Sequence, residues 1–236
     1  MGFKTADRGS QETPVIFPAI PWLVDGNRYE AYLESCLAHL KAQECPVEVM
    51  PPFLTTPTEE PFTRKTQMNV VTPKLNEIVD AFLETDATHV WFLNADNEVP
   101  PDALCKLLEL NVDVASGISP RHRSRDWTTA FRWVPPPSPE FLFSTPYFKC
   151  HRMEEVQGKI MGGKEMVGTG HFCLLVKRRV FDFFRFRWNP PRQKFGSELT
   201  FWMDAQMLGY SARIDGRVLT GHLPEYPLAD LVKDEV

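Results

Sequence analysis

Between residues 15 and 117 short apolar runs alternate with stretches of helical spacing, and few folds accommodate that alternation. Val15-Ile16-Phe17-Pro18-Ala19-Ile20 is compact and stopped by Pro21, as suits a buried strand. From Arg28 to Gln43, Tyr29, Tyr32, Leu33, Cys36, Leu37 and Leu40 recur on one helical stripe. Val47-Glu48-Val49-Met50 reads as a second strand, halted by Pro51-Pro52, and a Thr/Pro/Glu loop runs on to Phe62. A longer helix is expected over Arg64 to Glu84, with Leu75, Ile78, Val79, Phe82 and Leu83 on one side and Pro73 as a kink or restart. His89-Val90-Trp91-Phe92-Leu93 has the continuous apolar character of a central parallel strand and ends in the polar cluster Asn94-Ala95-Asp96-Asn97-Glu98. Pro100-Pro101-Asp102 opens a third helix to about Leu110, and Val112 to Gly117 makes another strand. Strand and helix in turn imply an α/β chain with a parallel, Rossmann-like sheet.

Beyond Gly117 the pattern changes to short strands and loops. Thr128 to Val134 reads as a strand, residues 141–166 as a stretch rich in aromatics and charges, His171 to Lys177 as a buried strand, and Phe201 to Tyr210 as a helix with Gly209 near its end. No linker separates two units, so the 236 residues read as one domain, 1–236, large enough to bury a full core. The 21 prolines, about twice the average share, call for many irregular connections, the kind of loops that line a site.

Charge and length exclude several function classes. A net charge of −5 supplies no field to hold a polyanion, so no nucleic-acid partner is expected. The longest apolar stretches, such as Phe172 to Val176, fall far short of the ~20 residues of a membrane span. Met1 to Gln11 is polar and lacks the apolar core of a secretory signal. The five cysteines, an odd number without a C-x-x-C pair, read as reduced thiols of a cytoplasmic protein.

In an open parallel sheet ligands bind at the carboxyl ends of the strands, and Asn94 to Glu98 follows the most apolar strand. Two carboxylates and amide oxygens on one turn suit a hard divalent cation, Mg²⁺ or Mn²⁺, which would in turn hold a diphosphate. The same residues admit a structural role, since Asx side chains favour turns and helix N-caps. Gly168-Thr169-Gly170 is a small-residue turn and not a phosphate-binding Walker loop, because no G-K-[ST] follows. Arg121-His122-Arg123-Ser124-Arg125 could neutralise a diphosphate or an anionic acceptor, but reads more simply as a solvated loop. Trp127, Trp133, Trp188 and Trp202 could stack on sugar rings or serve packing alone.

Taken in order, Leu93 to Pro101, Val167 to Arg178, Gly196-Ser197-Glu198-Leu199-Thr200-Phe201-Trp202, Leu208-Gly209-Tyr210 and Gly221-His222 resemble the GT-A glycosyltransferases, especially the family 2-like nucleotide-sugar transferases. The resemblance covers about residues 15–222. It implies a GT-A fold: a mostly parallel central sheet flanked by helices, with residues 15–117 as the nucleotide-binding half. Residues 118–222 would be a smaller, mixed acceptor-binding half and 223–236 a C-terminal tail.

The resemblance also assigns roles. Asn94-Ala95-Asp96 falls at the family's D-x-D motif, with Asp96 as metal ligand and Asn94 in place of the first aspartate; Glu98 would make up part of the missing charge. His222 matches the family's late histidine, a further metal ligand, unless it is a surface-loop residue. Glu198 matches the aspartate of the family's E-D pair and would be the general base of an inverting transfer. Ser197 stands where the pair has glutamate, and alternatively caps the helix while Glu198 favours its first turn. Arg64 and Asn69 would reach the nucleotide, Pro18 and Ile20 would border the base, and Gly170 would let the sugars approach the backbone. The implied reaction is hexosyl transfer from a UDP- or GDP-type sugar to a hydroxyl of a glycan, lipid-linked or small-molecule acceptor, with Mn²⁺ or Mg²⁺ as cofactor. Alternatives are a retaining transferase on the same scaffold, a nucleotidyltransferase, for which Pro18 to Gly26 lacks the basic loop, and a sugar-binding protein without catalysis, which Asn94 and Ser197 favour.

Overall fold

A computed structural model describes residues 13–21, 26–55, 67–121, 124–134, 147–162, 168–187 and 197–232. The first half follows the expected alternation: β1 (Val15–Ile20), α1 (Gly26–Lys41), β2 (Glu48–Val49), β3 (Phe53–Leu54), α2 (Gln67–Leu83), β4 (His89–Leu93), β5 (Asn97–Glu98), α3 (Ala103–Glu109) and β6 (Val114–Ile118). The second half contributes β7 (Pro120–Arg121), β8 (Ser124–Val134), β9 (Tyr147–Arg152), α4 (Met153–Val156), β10 (Ile160–Gly162) and β11 (Cys173–Lys177). A 3₁₀ turn (Arg178–Val180), α5 (Ser197–Met207), β12 (Ala212–Leu219), β13 (Gly221–His222) and α6 (Leu228–Val232) complete it.

One eight-stranded sheet runs β10-β12-β6-β11-β4-β1-β2, with β3 also on β1. β1 is parallel to β2, β3 and β4, and β6 to β12, while β11 inserts antiparallel between β4 and β6 and β10 antiparallel on β12. The sheet is therefore mostly parallel, with the reversed strands supplied by the second half. Outside it, β7, β8 and β9 form a three-stranded antiparallel unit.

Strand alternation builds two cores. Phe17, Ala19, Val90, Phe92, Leu174 and Val176 meet Leu75, Ile78, Val79 and Phe82 of α2 and Phe201, Trp202 and Ala205 of α5. Ile16, Ile20, Trp91, Leu93, Cys173 and Leu175 meet Leu33, Cys36 and Leu40 of α1 and Ala103, Leu104 and Leu107 of α3. Helices thus cover both faces, as a parallel sheet requires.

Two expectations are corrected. α2 does not restart at Pro73; it is helical throughout, with Pro73 exposed in its second turn. Proline there forfeits only the bond to the Asn69 carbonyl, and the buried stripe from Leu75 to Phe82 holds the helix on the sheet. α5 starts at Ser197, before the Phe201 start that spacing alone indicated. Among the described residues no helix is long and apolar enough to cross a membrane, and the five cysteines are free thiols.

Candidate functional site

β4, β6 and β12 all end at one edge of the sheet, and β11 begins there, with Cys173 opposite Leu93. The connections Asn94-Ala95-Asp96, Ser119-Pro120, Gly168 to Phe172 and Thr220-Gly221-His222 therefore share that rim. A backbone zipper joins two of them: β13 pairs antiparallel with β5, Gly221 against Glu98 and His222 against Asn97. The buried Asn97 amide donates to the Gly221 carbonyl at 2.8 Å, and Leu223 N–H donates to the Asp96 carbonyl at 2.8 Å. Asn97 N–H donates to the Asn94 carbonyl at 3.1 Å, closing the turn that presents Asp96.

The zipper brings His222 Nε2 to 3.6 Å from Asp96 Oδ2, with both side chains reachable from solvent at 21 % and 35 % exposure. On its other side the ring meets the Pro120 carbonyl through Nδ1 at 3.3 Å. A carbonyl only accepts, so that contact puts the proton of the neutral ring on Nδ1 and turns the Nε2 lone pair towards the carboxylate. Two acceptors facing each other across 3.6 Å favour a cation between them, and a proton is the simplest. Burial disfavours the charged ring, but the hydrogen bond and charge of Asp96, the Pro120 carbonyl and the charge of Glu225 outweigh it and raise the His222 pKa.

Glu98 does not face this pair, which corrects the expectation that it replaces the charge lost at Asn94. Its Oε1 accepts from Ser35 Oγ at 2.7 Å, with His39 Nε2 at 3.7 Å, and its Oε2 accepts from Leu228 N–H at 2.8 Å. The carboxylate ties α1 and α6 to β5. Among the described residues no group of three His, Cys, Asp or Glu side chains is placed to hold a metal ion. Asp96 and His222 could supply two ligands to a cation whose remaining positions were filled by water and phosphate oxygens. The Nδ1–H to carbonyl contact is the orienting bond a metal-bound imidazole usually has.

The other expected site residues divide. Asn94 is half-buried at the turn, while Ala95 is 0 % exposed and packs into the α1–α3 core. Pro18 is buried in β1 opposite Trp91, and Ile20 is buried in the same core as Ala95, so Ile20 presents backbone rather than side chain to the rim. Asn69 lies in the first turn of α2, its side chain outside the described residues, as is all of Arg64. Gly170 sits between the buried Thr169 and His171, where an added Cβ would press on the Phe172 ring at 3.0 Å. Beneath it Ser116 Oγ and Thr169 Oγ1 share a buried hydrogen bond of 2.7 Å.

Glu198 lies in the first turn of α5, which leads back to the start of β12 and so begins on the rim side of the sheet. Burial raises its pKa, against the pull of its own backbone N–H. No hydrogen bond or ion pair joins it to Asp96 or His222 among the described residues. The capping role for Ser197 is not seen: it is the first helical residue, 0 % exposed, and its hydroxyl has no partner among the described residues. α5 is seated by Trp202, which packs directly over Gly168. Gly168 has φ +157°, and a side chain there would collide with the indole. Trp202 is therefore a packing residue. Trp127 is 37 % exposed beneath the Arg152 guanidinium, 5.2 Å from its ring centre. Trp133's side chain, Trp188, His122 and Arg123 lie outside the described residues.

The sequence offers Asn97 a turn or capping role and Pro120 none, although both position the Asp96–His222 pair. Asn97 stands in the polar cluster that follows β4. Pro120 acts through its carbonyl and leaves no side-chain signal.

The architecture is a GT-A-like α/β fold. Among solved structures the chain is similar to A197 from STIV, with a TM-score of 0.54, 14 % identity and coverage of 89 % of this chain and 86 % of that one. It is also similar to S. aureus TarS 1-349, with a TM-score of 0.49 and 12 % identity, covering 87 % of this chain and 60 % of that one. No family model and no curated protein matches the sequence. At such identities the likeness extends to the fold alone.

Proposed function

We propose that the chain is a metal-dependent glycosyltransferase that moves a sugar from a nucleoside diphosphate donor of the UDP or GDP type to a hydroxyl acceptor, with inversion. The observation that carries this reading is the Asp96–His222 pair at the carboxyl rim, two accessible cation ligands brought to 3.6 Å by the β5–β13 zipper. Asp96 and His222 would hold Mn²⁺ or Mg²⁺, and Pro120 would keep the Nε2 lone pair available. When bound there, a divalent cation supplies Lewis-acid neutralisation of the charge that gathers on the leaving diphosphate.

Glu198 would take the acceptor proton as the hydroxyl attacks the anomeric carbon. Burial raises the Glu198 pKa, and a carboxylate with a raised pKa is a stronger base than an exposed one. Asn94 would hydrogen-bond the donor ribose, and the turn at Gly170 would admit the sugar near the backbone. One observation favours a second reading, a nucleotide-sugar binding protein without transfer: only two ligands stand at the rim among the described residues, and asparagine replaces the third.

A radiolabelled-donor assay with Mn²⁺ separates the two. Transfer or diphosphate release by the wild type, lost in both Asp96→Ala and Glu198→Gln while each keeps its wild-type melting transition, supports the transferase. Donor binding with neither transfer nor diphosphate release supports the binding protein, and wild-type turnover in Glu198→Gln removes that residue from the mechanism. Anomeric configuration of the product by NMR distinguishes inverting from retaining transfer.

A further inference from the structure

Apart from the rim, two cysteines from different elements meet at the far end of α1. Cys45 lies in the loop after α1 and Cys105 in α3, and the two side chains interact with each other. Both are partly exposed, and both are free. Their approach is built by backbone docking. The Gln43 side-chain amide donates to the Pro100 carbonyl at 2.9 Å and its Oε1 accepts from Leu104 N–H at 3.1 Å, while Glu44 N–H donates to the Pro101 carbonyl at 2.9 Å. Three bonds thus fasten residues 43–44 across the start of α3, and Cys45 follows them immediately.

We propose that Cys45 and Cys105 form a redox modification site, closed to an intramolecular disulfide by a low-molecular-weight disulfide such as oxidised glutathione. The step balances by thiol–disulfide exchange. One thiolate attacks a glutathione sulfur, breaking its S–S bond and releasing one glutathione thiolate. The neighbouring thiolate then attacks the protein sulfur of the mixed disulfide, forming the Cys45–Cys105 bond and releasing the second glutathione. Two protein thiols are oxidised, one glutathione disulfide is reduced, and the two protons pass to solvent or to the departing thiolates.

Accessibility separates this pair from the other thiols. Cys36 and Cys173 also interact with each other, but both are 0 % exposed, out of reach of a tripeptide. Cys150 has no cysteine beside it among its interacting groups. Burial, the Cys105 contact and the charge of Glu109 push the Cys45 thiol up to about 12. The exchange is slow at neutral pH for that reason, and its rate rises about tenfold per pH unit as thiolate forms. Contact with a resolving thiol then makes ring closure faster than accumulation of the mixed disulfide.

The bond would staple α1 to α3 at the connection that carries the metal-binding turn. Val99 and Pro100, which follow β5, are already tied to α1 by His39 Nδ1 at 3.0 Å from the Val99 carbonyl and by Gln43. Oxidation is a property of this junction and does not depend on sugar transfer.

The full chain is incubated with oxidised glutathione at alkaline pH and, in parallel, with diamide, then alkylated, digested without reductant and mapped by mass spectrometry. The expected product is a Cys45–Cys105 cross-linked peptide that dithiothreitol removes, with Cys36 and Cys173 unmodified and Tm raised by several degrees. Cys45→Ser and Cys105→Ser should each lose the cross-link and the Tm rise, and retain a glutathione adduct on the remaining thiol of the pair. Stable separate adducts on both cysteines of the wild type, or free thiols at both positions under both oxidants, would overturn the proposal.

Discussion

The sheet with its helices and the β7–β8–β9 unit follow opposite rules of construction. In the sheet, β4 and β11 are fully buried apart from their ends, and every large side chain between Val90 and Leu93 is 0 % exposed. In the antiparallel unit the strands lie outside the sheet, and Trp127 of β8 is 37 % exposed. The buried region fixes where Asp96 and His222 stand, because Asp96 follows β4 and His222 follows β12, strands that cannot slip without exposing a core, and the β5–β13 zipper joins the two connections. The exposed region has freedom to vary its surface. In the proposed transferase the transfer chemistry would belong on the first and recognition of the acceptor on the second.

That contrast can be broken most strongly in the core. Phe92→Ala removes a buried ring packed against Phe181 and Phe186 at 6.2 and 5.4 Å. It should cost about 3–5 kcal/mol in urea or guanidinium unfolding. Next comes the seam between the regions, where Gly216 of β12 accepts from Gly158 N–H at 3.0 Å and donates to the Lys159 carbonyl at 2.8 Å. A Cβ at Gly216 would run into the Val156 carbonyl, so Gly216→Ala should cost about 3 kcal/mol and detach α4 from the sheet. Hydrogen exchange at Gly158 and Gly216 would accelerate; unchanged exchange would show that the seam tolerates the methyl.

Acid is the third probe, and it acts on the sheet region. Burial opposes ionisation of Asp113, but hydrogen bonds from Arg179 at 2.5 and 2.7 Å and from Ser211 at 2.7 and 2.9 Å outweigh it and hold its carboxyl down at about 2. A depressed carboxylate contributes stability that is present above its unfolded pKa of 3.8 and lost as pH falls through about 2, here about 2 kcal/mol. Burial also lowers His89 to about 4 and His171 to about 3. The unfolded chain takes up those protons below pH 6.5 and the folded chain does not, so stability starts to fall there. Denaturation midpoints between pH 7 and pH 3 should therefore decline steadily, and Asp113→Asn should flatten the most acidic part. The smallest effect belongs to the exposed unit: Arg152→Ala, which removes the cation over Trp127, should cost about 0.5–1 kcal/mol.

Legibility divides along the same line. The run from His89 to Leu93 announced its strand because a fully buried parallel strand must be apolar on both faces, and the α1 stripe from Leu33 to Leu40 announced its helix. Pro73 misled, since its local penalty is small beside the burial of Leu75 to Phe82. Glu98 misled as well. Beside Asp96 it reads as a ligand, yet its oxygens serve Ser35 and Leu228, partners 63 and 130 residues away that no local pattern reveals. The Asp96–His222 contact itself was legible only through resemblance, because the β5–β13 zipper that makes it is two residues long on each side.

Isothermal titration of UDP and GDP, with and without Mn²⁺, into the wild type and the Asp96→Ala and His222→Ala variants tests the central claim most directly. The account predicts nucleotide binding that Mn²⁺ strengthens at least tenfold, a gain abolished by Asp96→Ala and reduced by His222→Ala, with both variants still folded. Mn²⁺-dependent binding of wild-type strength in Asp96→Ala would contradict it.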